Sequence, residues 1–335
     1  MKGRLIFKVA CLVVVLAVVA AVSGFAVPGQ AADKKVLRLA HVYAPDHPFN
    51  DGMKEMAERI KERTNGTIEI QVFPAGQLGS EEDIAESVSQ GIIQMAIVGP
   101  GELGKRYTPV LVFDGPYTFR SVDHALKVAR GGAGRELWDA LEEKSDIRVL
   151  DVMYYGTRYV TTSKVPVRTP EDLKGLKMRV PNQPMSIAIM QAFGAKPTPM
   201  ALSEVYLALQ QGVVDGQENP LPTIVTQKFN EVQKYLSLTG HVIQMTPIVI
   251  NSEVYAGLSD EEKRILEEEA RRATDATNQK VLETEKQIIE EIKASGQMEV
   301  IEPDIEAFRR AAQQAIDENI EKWGRELYQK IQSVE

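Results

Sequence analysis

Apolar positions follow two different rhythms along this chain. Val36-Leu37-Arg38-Leu39-Ala40-His41 alternates with period two and predicts a strand. Met53, Met56, Ala57 and Ile60 recur at helical spacing, and Asn65-Gly66 is a C-terminal stop for that helix. Ile68, Ile70 and Val72 alternate within Thr67–Phe73, a second strand. Ser80 with Asp83 opens a helix through Ile84, Ala85 and Val88, closed by Gly91, and Met95–Val98 is a short buried strand. Strand, helix, strand, helix, strand implies a parallel sheet with helices on its faces, so the fold class is α/β.

The same rhythms return further on. Thr169-Pro170-Glu171-Asp172 is a helix start with proline at the first helical position. Lys177–Val180 reads as a strand, Gln183–Phe193 as a helix, and Ser203–Gln210 as a helix ended by Gly212. A second α/β unit therefore occupies roughly 155–240. Ile243–Ile250 is a strongly apolar strand. Ser259 and Glu262 form a capping box that launches a long amphipathic helix through Ile265, Leu266, Ala273, Val281, Leu282, Ile288 and Ile292. A final helix is expected from about Ile305 to Ile331.

One stretch has no rhythm. Val9–Val22 is 14 apolar residues without a break, preceded by Lys2, Arg4 and Lys8 and followed by Ser23, Gly24, Pro28, Gly29, Ala31 and Ala32. That order is a secretory signal peptide over residues 1–32, cut near Ala31 or Ala32. The rival reading is an uncleaved anchor, but a membrane span needs about 20 apolar residues. Cys11 stands at the front of the run, where lipidation does not place its cysteine. Without this segment the chain has no cysteine, so neither disulfide nor thiolate chemistry is available.

At 335 residues, with 44% hydrophobic and 26% charged residues, the chain has the material for about two domains with buried cores. Its net charge of -8 gives no general attraction to phosphate backbones, which excludes nucleic acid as the expected partner. Gly99-Pro-Gly101-Glu-Leu-Gly104 matches a dinucleotide-binding spacing, but Pro109 follows too soon for the long helix that such a site requires. The plain reading is a turn at the C-terminal end of a strand, where α/β sheets hold ligands. His41, His47, His124 and His241 are scattered, with no paired spacing for zinc. His47, before Pro48, is expected to hydrogen-bond within its loop. No nucleophile elbow or phosphate-binding loop is present. Glu81-Glu82 and Glu142-Glu143 read as solvated helix faces. No cofactor and no metal are expected.

Two arginines stand in unusual company. Arg158 lies in Tyr154-Tyr155-Gly156-Thr157-Arg158-Tyr159, and Arg179 in Leu176-Lys177-Met178-Arg179-Val180-Pro181. An arginine on an apolar strand is costly to bury unless an anion meets it. That anion is either a structural Asp or Glu or a ligand carboxylate, which matches the two-pronged guanidinium. Asn219, in Gly216-Gln217-Glu218-Asn219-Pro220, is a third candidate, with an amide that can donate to the same carboxylate.

These segments resemble the solute-binding subunits of tripartite ATP-independent periplasmic (TRAP) transporters, of the dicarboxylate- and sialate-binding type. The resemblance rests on Phe73-Pro-Ala-Gly-Gln-Leu-Gly79, Leu173-Lys-Gly-Leu-Lys-Met-Arg-Val-Pro181, Pro197-Thr-Pro-Met200, Ser203-Glu-Val-Tyr-Leu-Ala-Leu-Gln210 and Val214-Asp-Gly-Gln-Glu-Asn-Pro220. It implies a two-lobed periplasmic binding fold with a long C-terminal helix spanning the hinge. By its boundaries, 33–154 and 245–283 form lobe I, and 155–244 and 284–335 form lobe II. It also implies that Arg179 makes the two-pronged carboxylate contact, that Arg158 and Asn219 complete the clamp, and that Asn182 adds a polar contact. His41 is placed at the border of the cleft, and Tyr43, Tyr154, Tyr155 and Glu102 along its lining. Val42, Gly99 and Leu202 stand where sialate binders carry Asn, Glu and Phe, which implies a less polar far end to the pocket.

The expected ligand is therefore a small organic acid: a uronate or other sugar acid, a C4-dicarboxylate, or a 2-oxo or hydroxy acid. The expected partners are the small and large membrane subunits of a cation-gradient-driven transporter, and the expected location is the periplasm. No enzyme activity is expected. A receptor for a membrane sensor kinase, or an exported sugar-acid enzyme, are the alternatives.

Overall fold

β1 (Lys35–Ala40), β2 (Ile68–Phe73) and β3 (Met95–Ile97) form where alternation places them, and β1 pairs in parallel with both. The crossovers are α1 (Pro48–Arg63) and α2 (Glu81–Ser89). α1 starts at His47, whose Nδ1 accepts from the Phe49 N–H at 3.2 Å, and buries Phe49, Met53, Met56 and Ile60. α2 starts at the Ser80–Asp83 capping box. The computed structural model describes residues 34–335, so the expected signal peptide lies outside the described residues.

Beyond β3 come α3 (Pro100–Leu103), a 3₁₀ turn (Thr108–Asp114), α4 (Val122–Arg130) and α5 (Gly132–Ser145). β4 (Ile147–Thr162) and β8 (Tyr235–Asn251) are strands of 16 and 17 residues, paired antiparallel along most of their length. Between them the chain forms β5 (Lys177–Val180), α6 (Pro184–Ala192), β6 (Lys196–Pro199), α7 (Val205–Gln210), β7 (Gly216–Pro220) and α8 (Leu221–Thr226). The helix expected at Thr169 is a single 3₁₀ turn, Pro170–Leu173.

With β9 (Glu299–Ile301) beside β8, these strands make one nine-stranded sheet of order β2-β1-β3-β8-β4-β7-β5-β6. It is mixed rather than parallel. β8 runs antiparallel to β3, and β4 runs antiparallel to β7 and β8. The parallel group β1–β3 lies on one side of the long pair and the group β5–β7 on the other, which makes two lobes on one continuous sheet.

α9 (Ser252–Ala256) is followed by α10 (Asp260–Ser295), a helix of 36 residues capped by Ser259 and Glu262 as expected. α10 packs on α1, β4 and α8, so it runs behind both strand groups. Of its expected apolar face, Ile265, Leu266, Ala273, Val281, Ile288 and Ile292 are buried, while Leu282 is exposed. The final helix is two helices, α11 (Ile305–Trp323) and α12 (Arg325–Gln332), separated at Gly324, where φ is +95°. That left-handed geometry is open to glycine and ends α11. α12 then packs on α4 and α5: the Ile331 carbonyl lies 3.0 Å from His124 Nε2, and Lys330 pairs with Glu136 at 2.8 Å.

Candidate ligand-binding cleft

The C-terminal ends of β1, β2 and β3 open toward the same side as the segments leaving β5 and β6, and a cavity of about 830 Å³ lies between them. Placing a cleft at strand C-termini is what an α/β topology favours. One lobe contributes Val42–Pro45, Ala75–Gly76, Gly79–Glu82, Gly99 and Glu102. The other contributes Arg179, Pro181–Gln183, Pro199–Ser203 and Asn219, and the long strands supply Tyr155, Arg158, Gln244 and Thr246. Seven of the eight expected site residues line this space: Arg179, Arg158, Asn219, Asn182, Tyr43, Glu102 and Tyr155. His41 does not; it is fully buried behind Tyr43, with ring centroids 5.8 Å apart. Tyr154 is likewise buried, its hydroxyl donating to Glu285 on α10 at 2.7 Å.

The two arginines meet different fates. Arg158 Nη2 donates to Glu218 Oε1 at 2.8 Å, its Nε donates to the other Glu218 oxygen, and its Nη1 donates to Gln244 Oε1 at 2.5 Å. Arg158 thus has a protein carboxylate as its anion, and it also lines the cavity. Burial works to raise the Glu218 pKa, but the Arg158 charge and the His241 hydrogen bond outweigh it and hold this carboxyl well below its usual range. Arg179 is 2% exposed, and its Nε and Nη2 donate only to the Met200 carbonyl, at 3.2 and 2.8 Å. Among the described residues it has no carboxylate within ion-pair distance, and its Nη1 has no partner. Burial pulls its pKa down to about 10, with Glu218 pulling the other way, so it remains charged at neutral pH. A buried charge without a counter-ion costs several kcal/mol.

Around Arg179 the polar groups are already oriented. Asn219 Nδ2 donates to Gln217 at 2.6 Å, while its Oδ1 accepts from the Tyr155 hydroxyl at 3.4 Å. One Asn219 N–H is thus spent, and the second has no hydrogen-bond acceptor among the described residues. Tyr43 packs against Tyr155 with centroids 4.9 Å apart, and against Phe49 edge-on at 4.9 Å, which fixes both phenol rings.

Glu81 overturns its expected place on a solvated face. It is half-buried on the cavity wall, where its Oε1 accepts from the Gly99 N–H at 2.7 Å and its Oε2 from Gln183 Nε2 at 3.3 Å. Burial, then the nearby Glu102 charge, push it up to about 7. Glu82 is exposed and accepts from Asn182 at 3.3 Å. Both contacts cross from one lobe to the other. Glu142-Glu143 is a surface pair as expected, with Glu142 bound to Arg148 at 2.9 Å.

The glycines of Gly99–Gly104 now have a packing reason. A Cβ on Gly101 would stand 2.4 Å from the Gln183 side chain, and one on Gly104 would stand 2.2 Å from Leu111. α3 is four residues long, so no extended helix faces a pyrophosphate. Val42, Gly99 and Leu202 line the cavity, yet the wall around them carries Glu81, Glu82 and Glu102. The less polar far end therefore holds at those three positions and not for the wall as a whole. No group of three or more metal-ligating side chains exists among the described residues. None of their helices is long and apolar enough to cross a membrane.

Two lobes closing on a cleft that holds an uncompensated guanidinium define a solute-binding protein. The chain belongs to the bacterial extracellular solute-binding protein family 7 (DctP), whose profile matches residues 39–322. It is 36% identical to the sialic acid-binding periplasmic protein SiaP of Vibrio cholerae, over 83% of this chain and 86% of that one. It is 37% identical to the 2,3-diketo-L-gulonate-binding periplasmic protein YiaO of Escherichia coli, over 77% and 78%. A crystal structure of a TRAP periplasmic solute-binding protein from Polaromonas, bound to D-erythronate, superposes with a TM-score of 0.86 at 33% identity, covering 90% of this chain and 99% of that one.

Proposed function

We propose that this chain is the periplasmic receptor of a TRAP transporter, and that it binds a small organic acid through Arg179 and hands it to the small and large membrane subunits. The observation that carries this reading is the buried guanidinium of Arg179, held by one carbonyl and facing an 830 Å³ cleft with no protein carboxylate against it. Names of relatives support the ligand class: each of the three reported above is described with a sugar acid. We place the lobe boundaries at 33–154 with 245–283 and at 155–244 with 284–335, where β4, β8 and α10 cross between lobes, with α12 returning to pack on α4 and α5.

In this reading the acid enters the open, hydrated cleft and meets Arg179 first. Asn219 donates its free N–H to the carboxylate. Arg158, neutralised by Glu218, orients Asn219 and Gln244 rather than carrying charge to the ligand. Closure expels water, and the ion pair strengthens as the local dielectric falls. Closure follows only if the ligand binds the closed form more tightly than the open one. A charge-assisted pair contributes about 1.5–3 kcal/mol of the roughly 8 kcal/mol that micromolar affinity represents. The protein acts as a carrier, so the acid is recovered unchanged after incubation.

Titration calorimetry tests the clamp. Arg179→Ala weakens binding of the acid at least tenfold, and Arg179→Lys nearly as much, because an ammonium lacks the fork. Unchanged affinity in Arg179→Ala removes the proposal. Uptake of the acid by vesicles that carry the membrane subunits, only when this protein is added, separates transport from sensing.

A further inference from the structure

The clamp works in only one of the two orientations open to the Asn219 amide. With Nδ2 turned to the cleft, Asn219 donates to a carboxylate; turned over, it sets Oδ1 against the carboxylate, acceptor against acceptor. Asn219 has the same shape either way, so its neighbours must decide. On β7, Gln217 and Asn219 stand two residues apart and share a face of the sheet. β4 pairs antiparallel with β7 and sets Thr161 opposite Gln217. Gln233, just ahead of β8, completes the row. All three side chains are buried, and none of them lines the cavity.

The row has a direction, and a backbone carbonyl sets it. Gln233 Nε2 donates to the Val232 carbonyl at 3.0 Å. A carbonyl only accepts, so Gln233 keeps Nε2 there and turns Oε1 to Thr161. The single Thr161 hydroxyl proton goes to that oxygen, at 3.1 Å. Thr161 Oγ1 is then left to accept, which it does from Gln217 Nε2 at 2.9 Å. Gln217 Oε1 therefore faces Asn219 and accepts from its Nδ2 at 2.6 Å. The opposite side of the amide agrees: Arg158 Nη2, which only donates, meets Asn219 Oδ1 at 3.4 Å, as does the Tyr155 hydroxyl. Those contacts are long, so the short bond to Gln217 sets most of the preference.

We propose that Thr161 and Gln233 are positioning residues for ligand binding: acting through Gln217, they hold the Asn219 amide nitrogen toward the acid without reaching the cleft. This rests on the receptor reading above and extends its site to residues that touch no ligand. Without Gln233, the Thr161 proton turns to Gln217, whose amide then inverts and presents Nε2 to Asn219. Asn219 answers with Oδ1, which takes the place of its amide nitrogen beside the ligand carboxylate.

Titration calorimetry with D-erythronate, L-galactonate and succinate finds which acid binds best, and that acid is the probe. Thr161→Val and Gln233→Met each weaken its binding about threefold or more, the loss that one hydrogen bond represents, whereas Thr161→Ser keeps the hydroxyl and stays within about twofold. The two losses do not add when combined, because one chain of bonds carries both. In the Asn219→Ala background Thr161→Val has no further effect on affinity, although a general loosening of the fold would still lower it. Circular dichroism confirms that the variants are folded. Nuclear Overhauser contacts in the unaltered, ligand-free protein read the orientation directly: the Asn219 amide protons lie closer to Gln217 than to the Tyr155 ring. An inverted amide overturns the proposal, as does unchanged affinity in Thr161→Val or an equal loss with and without Asn219. If an acid binds and Arg179→Ala abolishes that binding while Thr161→Val and Gln233→Met bind normally, the proposal falls and the receptor reading stands. If none of the acids binds, both fall.

Discussion

Arg158 and Arg179 show how little an arginine's type says about its role. Both sit on strands, both are buried, and both border the cleft. Among the described residues only Arg158 has a protein carboxylate within ion-pair distance, whereas Arg179 donates to the Met200 carbonyl alone. The histidines carry a pH signature of their own. Burial lowers His41 to about 4 and His47 to about 3. Unfolded, each binds a proton near pH 6.5, whereas the folded chain does not. Their contribution to stability is therefore complete above pH 6.5 and is lost as pH falls toward their folded values. One such histidine costs on the order of 1.4 kcal/mol at pH 5.5. Glu81, raised to about 7, has the opposite sign: between pH 7 and 4.5 the folded chain binds its proton more readily. His47→Asn keeps an N-cap acceptor for α1 and removes the titration. Its fall in Tm between pH 7.5 and 5.5 is expected to be smaller than that of the unaltered protein, and an unchanged slope would clear His47 of that role.

Helices announced themselves through their starts. Ser80–Asp83 and Ser259–Glu262 form the capping boxes that their spacing promises, because that pairing is local and needs no partner from elsewhere. β4 was legible only around its aromatic run. Most of its 16 residues are buried on both faces, so no alternation marks its length. Its register against β8 shifts at Gly156, at φ +139°, where a Cβ would stand 2.5 Å from Pro220 Cβ and 2.9 Å from Glu285 Oε1. Glu285 in turn accepts from the Thr157 N–H at 2.8 Å and ties α10 to the strand. Gly156→Ala is expected to cost about 1–3 kcal/mol of backbone strain together with that tie. A thermal melt should show a Tm several degrees lower, and an unchanged Tm would mean that the backbone at this position relaxes freely.

Because one sheet runs through both lobes, the closure proposed above is expected to bend β4, β8 and α10. Contacts that cross the cleft then decide how closed the molecule sits. Gln183 reaches Glu81, and Asn182 reaches Glu82, from the opposite lobe. Gln183→Ala removes one of these latches without touching Arg179. Affinity for the acid is expected to fall three- to tenfold, mainly through faster release, while the ligand-free Tm moves by less than about 2 °C, since one hydrogen bond is worth only about 1 kcal/mol. Stopped-flow release rates check this. Unaltered release would show that the pair does not hold the cleft shut.

The amino-acid order alone settles what depends on neighbours along the chain: α/β rhythm, helix caps, the acidic surface, and the odd placement of Arg158, Arg179 and Asn219. Through motifs such as Leu173–Pro181 and Gly216–Pro220 it also announces the receptor family. Which arginine is free, that Glu81 leaves its solvated face for the cleft, and that Gln183, Gln244 and Thr246 join the site were all decided by the folded chain. Those facts depend on groups tens to hundreds of residues apart being brought within a few ångströms, and no local spacing encodes such an encounter.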